Sequence, residues 1–154
     1  MLPPEEGQKA PDFKLLNQDE KLISLSDFKG KKLILYFYPK DNTPGCTAEA
    51  CNLRDNYSLL KEKGFSLLGI SPDSEIKHQN FRNKHNLLMD LIADTEKEIL
   101  SLYGVWGEKK MYGRTYMGVM RTTFIIDEKG FIEKIISKVK TKTHTEQILE
   151  LYEK

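Results

Sequence analysis

The chain has 154 residues, 39% hydrophobic and 31% charged, the make-up of a globular protein with room for one core. Its formal net charge is +1, which argues against a nucleic-acid or membrane surface, and the lysine-rich stretches 29–32 and 134–142 read as solvated edges. No stretch is long and apolar enough to span a bilayer, and residues 1–6 have neither the basic start nor the apolar run of a signal peptide, so a cytoplasmic location is expected. Thiols stay reduced in that compartment, so the two cysteines, Cys46 and Cys51, are expected to be chemical rather than structural.

Residues 13–16 and 21–25 read as short strands around the polar Asn17–Glu20, an N-terminal hairpin. Ser26 is placed to cap a short turn ended by Gly30. Leu33–Tyr38 is an apolar, aromatic run of strand length, broken by Pro39, Pro44 and Gly45. A helix is predicted from about Cys46 to Lys63, with Ala50, Leu53, Tyr57 and Leu60 on its inner face and Gly64 as its stop. Residues 65–70 form a second buried-type strand, and Ser74 caps a helix to about His85 anchored by Ile76 and Phe81. Leu91–Ala93 is a short strand, and Thr95 is expected to cap a helix over Ile99, Leu102 and Tyr103. Residues 109–118 read as a variable loop without chemistry. Residues 122–126 and 131–136 flank Asp127-Glu128-Lys129-Gly130 as a hairpin, and Thr143-His144-Thr145-Glu146 has capping-box spacing for a last helix with Ile148, Leu149 and Leu151 inward. No linker or repeat divides residues 1–154, so one domain is expected. Alternating elements predict an α/β fold with a mixed sheet.

Cys46 carries the most information. It sits where the strand–turn segment gives way to a helix, so it meets unpaired backbone N–H groups and the positive end of the helix dipole. Both favour thiolate, the reactive form. Cys51 can be read as a small core hydrophobe or as a redox partner of Cys46. Metal binding is disfavoured: the C-x₂-C spacing is absent, and His78, His85 and His144 are spread along the chain, each expected at the surface or half-buried. On an intact helix, five residues give about 7.5 Å of rise and about 140° of rotation, a Cα separation of roughly 8.6 Å. A disulfide needs about 7 Å or less. A Cys46–Cys51 couple therefore requires local unwinding. Thr43 reads as a turn or cap residue, or as a hydroxyl near the sulfur. Pro39 reads as turn punctuation, or as a shield from bulk water.

The segment Tyr36-Phe37-Tyr38-Pro39-Lys40-Asp41-Asn42-Thr43-Pro44-Gly45-Cys46-Thr47, with Cys51 five residues on, resembles the active-site signature of peroxiredoxins, and more narrowly of the bacterioferritin comigratory protein, or peroxiredoxin Q, subfamily. Gly7–Phe13, Gly69–Asp73, Tyr103–Gly107 and Arg121–Asp127 extend the likeness over nearly the whole chain. The resemblance implies a thioredoxin-like fold: a central mixed sheet flanked by helices, with an N-terminal hairpin extension. It implies Cys46 as the peroxidatic cysteine, Thr43, Arg121 and Pro39 as its active-site partners, and Cys51 as an in-chain resolving cysteine. It also singles out Arg121, which local pattern alone leaves as an edge charge. The activity it implies is reduction of hydrogen peroxide and organic hydroperoxides, with thioredoxin, or glutaredoxin, as reductant. No metal, haem or flavin is expected, since the electrons come from thiols. An in-chain resolver needs no second subunit, so a monomer is expected. Two rival readings share the architecture. A thioredoxin-type oxidoreductase would need the missing C-x-x-C. A binding or chaperone module would leave Cys46 inert.

Overall fold

The computed structural model describes residues 3–153. Its centre is a five-stranded mixed sheet. Strands β3 (Lys32–Phe37), β4 (Phe65–Ser71) and β5 (Asp90–Ala93) run parallel, and β8 (Thr122–Ile126) and β9 (Ile132–Ile136) complete it antiparallel, in the order β5-β4-β3-β8-β9. The hairpin β1 (Lys14–Leu16) and β2 (Leu22–Ser24) stands apart, as its pattern predicted. The mixed α/β class is borne out.

The alternation in β3 explains the layering. Leu33, Leu35 and Phe37 face one core with Leu68, Ile70, Phe124 and Tyr103. Ile34, Tyr36 and Tyr38 face the other, against Ala50, Leu53, Leu60 and Phe81 of the covering helices. Both faces are covered, so the central strand reads as a continuous apolar run. Each such side chain, fully removed from water, contributes about 1.5–3 kcal/mol.

The predicted helix over 46–63 is two helices, α1 (Pro44–Asp55) and α2 (Tyr57–Glu62). Proline at the first turn of α1 lets the helix begin two residues early, because its missing N–H was not needed there. At Asn56 the side-chain amide donates to the Asn52 carbonyl at 2.8 Å, capturing an acceptor of the preceding turn where the helix breaks. α3 (Glu75–His85) is capped by Ser74 as expected, but Ile76 is 68% exposed, and His78 and Phe81 face inward instead. α4 (Glu98–Leu102) is capped by Asp94, not Thr95: its carboxylate accepts from the N–H groups of Glu98 and Leu100. The short 3₁₀ turn Leu25–Phe28 starts after Ser24, whose N–H is held by Asp27, rather than at Ser26.

The segment expected to be a loop is a hairpin, β6 (Trp106–Met111) and β7 (Arg114–Val119). Tyr112 and Gly113 both have positive φ, 52° and 78°, the two-residue turn whose twist matches antiparallel strands. Tyrosine at the first position hides that signal.

The last helix, α5 (His144–Glu150), begins where expected, but Thr143 does not cap it. The cap comes from α1: Asn52 Oδ1 accepts from the Thr145 N–H at 2.7 Å, and Asn52 Nδ2 donates to the Lys142 carbonyl at 3.0 Å. Ile148 is buried, whereas Leu151 is 41% exposed. Asn52→Ala should lower unfolding free energy by about 1–2 kcal/mol, read by urea denaturation; a loss below a few tenths would show the α1–α5 cap to be idle. Among the described residues, no helix is long and apolar enough to cross a membrane.

Candidate active site

The site lies where the parallel strands end. The register pairs Phe37 of β3 with both Ile70 and Thr122, so the segment after β3, the segment after β4 and the residue before β8 meet at one edge. Residues 38–43 cross that edge and lead into α1, where Cys46 occupies the first turn. Its residue is only 2% exposed. Arg121, between β7 and β8, reaches across and donates from Nη2 to Cys46 Sγ at 3.4 Å. Gly45 eases this approach: a Cβ there would lie 3.2 Å from Arg121 Nη2, a tight contact.

Arg121 has a second neighbour, a carboxyl group. Its Nη1 donates to Glu49 Oε1 at 2.8 Å, and Glu49 is completely buried. Burial pushes the Glu49 carboxyl up to about 7, although Arg121 pulls it down. Burial works against the charge on Arg121, but the Cys46 sulfur and Glu49 outweigh it and hold the guanidinium above its ordinary value. Behind Glu49 lies His144 of α5, also fully buried, with Nε2 3.6 Å from Glu49 Oε2, 2.8 Å from Thr123 Oγ1, and Nδ1 2.9 Å from Gln147 Oε1. Burial pushes His144 down to about 4, with Arg121 adding to the effect and the Gln147 contact opposing it.

A second buried polar group anchors the loop from below. The Asp41 N–H donates to Asp73 Oδ2 at 2.8 Å, Tyr38 Oη donates to Asp41 Oδ1 at 2.6 Å, and Asp41 Oδ2 lies 2.7 Å from His78 Nδ1. His78 Nε2 donates to the Ile92 carbonyl at 3.0 Å, and Ser71 Oγ donates to Asp73 Oδ2 at 2.8 Å. Asp41, Asp73 and His78 are close enough to hold a cation. Their facing atoms are nevertheless joined to one another and to neighbouring hydroxyl, amide and carbonyl groups, which makes the cluster a fastening for the loop.

Of the residues singled out from sequence, Cys46 and Arg121 are in contact, and Thr43 precedes the first turn of the same helix. Thr43 Oγ1 donates to the Lys40 carbonyl at 2.8 Å, so its proton is committed to the loop and its lone pairs remain. Pro39 is half-buried in that loop. Cys51 is half-buried further along α1, and both thiols are free with the helix wound between them. Two expectations about histidines are corrected: His78 and His144 are fully buried, each because both ring nitrogens find partners inside. Sequence reasoning passed over Glu49, Asp41 and Asn52. Glu49 had a detectable signal, a charge three residues from Cys46 and next to Ala50 on the inward face of α1. His144 has one local partner, Gln147 three residues on in α5, but Thr123 and Glu49 come from β8 and α1 and leave no local signal.

Comparison with known proteins gives this arrangement its class. The AhpC/TSA family model matches residues 6–135. Peroxiredoxin Bcp of Bacillus subtilis is 47% identical over 144 residues, covering 94% of this chain and 92% of that protein. Peroxiredoxin Bcp of Escherichia coli is 43% identical over 149 residues, covering 97% and 96%. Among solved structures, a cysteine-to-serine mutant of Xylella fastidiosa PrxQ superposes with TM-score 0.91 at 28% identity, covering 99% of this chain and 97% of its own. The Xanthomonas campestris bacterioferritin comigratory protein, solved in work on its alkyl peroxide reduction, superposes with TM-score 0.87 at 30% identity, covering 96% of each. The fold is therefore the thioredoxin-like fold of the peroxiredoxins. The chain belongs to the AhpC/TSA family and, within it, to the Bcp/PrxQ peroxiredoxins, enzymes with thiol peroxidase activity.

Proposed function

We propose that Cys46 is the peroxidatic cysteine of a thioredoxin-dependent peroxidase acting on hydrogen peroxide and organic hydroperoxides, with Cys51 as its in-chain resolving cysteine. The observation that carries the reading is the buried Cys46 sulfur in the first turn of α1 with the Arg121 guanidinium donating to it. Helix terminus and guanidinium both favour an anionic sulfur.

The thiolate attacks the distal oxygen of the hydroperoxide. An S–O bond forms as the O–O bond breaks. The alkoxide or hydroxide leaves and takes up a proton, and Cys46 becomes a sulfenic acid. Arg121 stabilises charge growing on the peroxide oxygens. Thr43 Oγ1, its own proton held by Lys40, accepts from the peroxide O–H and orients it. Pro39 limits access of bulk water. The Cys51 thiol then displaces the sulfenic oxygen as water, giving a disulfide, and a dithiol reductant reopens it by exchange. Thioredoxin fits this last step, with glutaredoxin as the alternative donor.

The resolving step sets a structural condition. The Cα atoms of residues five apart on a wound helix are roughly 8.6 Å apart, beyond disulfide reach. α1 must open between 46 and 51, and opening past Cys51 also releases the Asn52 bonds to Thr145 and Lys142. An in-chain resolver is compatible with a monomer acting as one domain in the cytoplasm.

The test is one equivalent of peroxide followed by mass spectrometry. The parent protein should lose two hydrogens and yield a peptide joining Cys46 to Cys51. Cys51→Ser should complete the first turnover, accumulate a sulfenic acid trapped by a dimedone probe, and lose most thioredoxin-driven cycling. No more adduct in that variant than in the parent would remove Cys51 from the scheme.

A further inference from the structure

The hydrogen bonds around His144 determine where its protons are. Gln147 Nε2 donates to the Lys138 carbonyl at 2.8 Å, and Gln147 Oε1 accepts from the Lys140 N–H at 3.0 Å. Those two backbone partners settle the orientation of the amide. Oε1, an acceptor, therefore also faces His144 Nδ1 at 2.9 Å, so Nδ1 must carry a proton. In the neutral ring Nε2 then offers a single lone pair, with Thr123 Oγ1 at 2.8 Å on one side of it. Burial and the nearby Arg121 cation both disfavour a second proton on this ring.

Glu49 lies on the other side of that lone pair. Its Oε1 is satisfied by Arg121, but Oε2 is buried with no hydrogen-bond partner, and His144 Nε2 lies 3.6 Å from it. A carboxylate oxygen in this position would set lone pair against lone pair out of reach of water. A carboxylic acid would instead point its O–H toward the imidazole nitrogen and share that lone pair with the Thr123 hydroxyl. The groups facing Glu49 are Cys46 on its own helix, Arg121 from the segment before β8, His144 from α5 and Tyr36 from β3, a buried uncharged phenol. Arg121 is the single cation among them.

We infer that Glu49 is a positioning residue kept in its acid form by burial and by the facing His144 lone pair, and that this leaves the Arg121 charge to the Cys46 thiolate. With Glu49 neutral, one cation faces one anion. With Glu49 ionised, two anions share it, and Arg121 is drawn toward the carboxylate and away from the sulfur and the incoming peroxide. The coupling is reciprocal: a proton on Glu49 favours the anion on Cys46, and the thiolate favours the proton on Glu49. The consequence for rate rests on the peroxidase reading; the protonation of Glu49 does not.

Infrared difference spectroscopy of the reduced protein reads the proton directly. The parent should show a protonated-carboxyl stretch about one pH unit below neutrality that fades as pH rises through about 7. Glu49→Gln should remove that band. His144→Leu should move its disappearance to lower pH by about one unit, a tenfold loss of proton affinity. In stopped-flow measurements, the parent's rate constant for Cys46 oxidation, normalised to its thiolate fraction, should fall severalfold as the band disappears. Glu49→Gln should keep no such alkaline fall, since the amide retains the acceptor for Arg121 and donates to His144 without titrating. A structural role alone would scale the rate at every pH and leave the curve's shape unchanged. Absence of the band in the parent, or superposable pH profiles for parent and Glu49→Gln, would overturn the inference. The infrared arm needs no peroxide, so it can fail while Cys46 chemistry stands, and hold if that chemistry fails.

Discussion

Cys46→Ser should abolish thiol-dependent peroxide consumption, lowering it on the order of 10³-fold or more, to the level of reductant and peroxide alone. A hydroxyl at this position does not ionise near neutrality, and the helix terminus and Arg121 cannot convert it into a competent nucleophile. The fold should survive. Serine is close in size to cysteine, and Arg121 retains Glu49 as its second acceptor. Circular dichroism and thermal melting should therefore stay near those of the parent while activity disappears. Thioredoxin-driven turnover in this variant would move the chemistry off Cys46 and overturn the proposed mechanism. The contrast with Cys51→Ser separates the two thiols: loss at 46 stops the first turnover, and loss at 51 stops the return.

His78→Ala should be the most destabilising of the substitutions considered, lowering unfolding free energy by about 3–5 kcal/mol, because it leaves a buried carboxylate without its partner. His78 and Asp41 are 0% and 6% exposed, and their 2.7 Å contact ties the segment carrying Thr43 to α3 and β5. Removing the imidazole also strands the Ile92 carbonyl. Urea denaturation reads the loss. A drop below about 1 kcal/mol would show that water or neighbouring groups take over both contacts. Asp41→Asn, which keeps the Tyr38 and His78 neighbours and changes only charge and proton count, should cost less. The double variant should fall short of the sum, because both substitutions break the same contact.

These expectations differ in where they came from. Cys46, Cys51, Thr43 and Pro39 were visible from the chain because a proline- and glycine-broken turn between a strand and a helix is a local pattern that resembles a family signature, whereas Arg121 was visible through the family resemblance alone. The β-strands of the central sheet were visible because a strand covered on both faces is apolar throughout, as Leu33–Tyr38 is. The hairpin at 106–119 is hidden behind the loop expected over 109–118 because residues 114–117 are exposed on both faces of β7 and the turn uses tyrosine where asparagine or aspartate is the usual cue. The helix break at Asn56 and the cap on Thr145 were hidden for a different reason: each depends on an asparagine side chain whose preferred partner is decided by what lies opposite it.

By itself, then, the sequence determined the α/β class, the run of most elements and a thiol at a helix start, all of which follow from periodicities of two to four residues. Only the tertiary structure decided the environment of that thiol. Arg121 is 75 positions from Cys46, His144 is 21 from Thr123, and His78 is 37 from Asp41, yet each pair is in hydrogen-bond contact. Burial of Glu49 and His144, and hence their protonation, depends on α5 closing over α1 and β8. Charge and proton position are set by desolvation and by partners supplied from elsewhere in the chain, and no local pattern of residues encodes either.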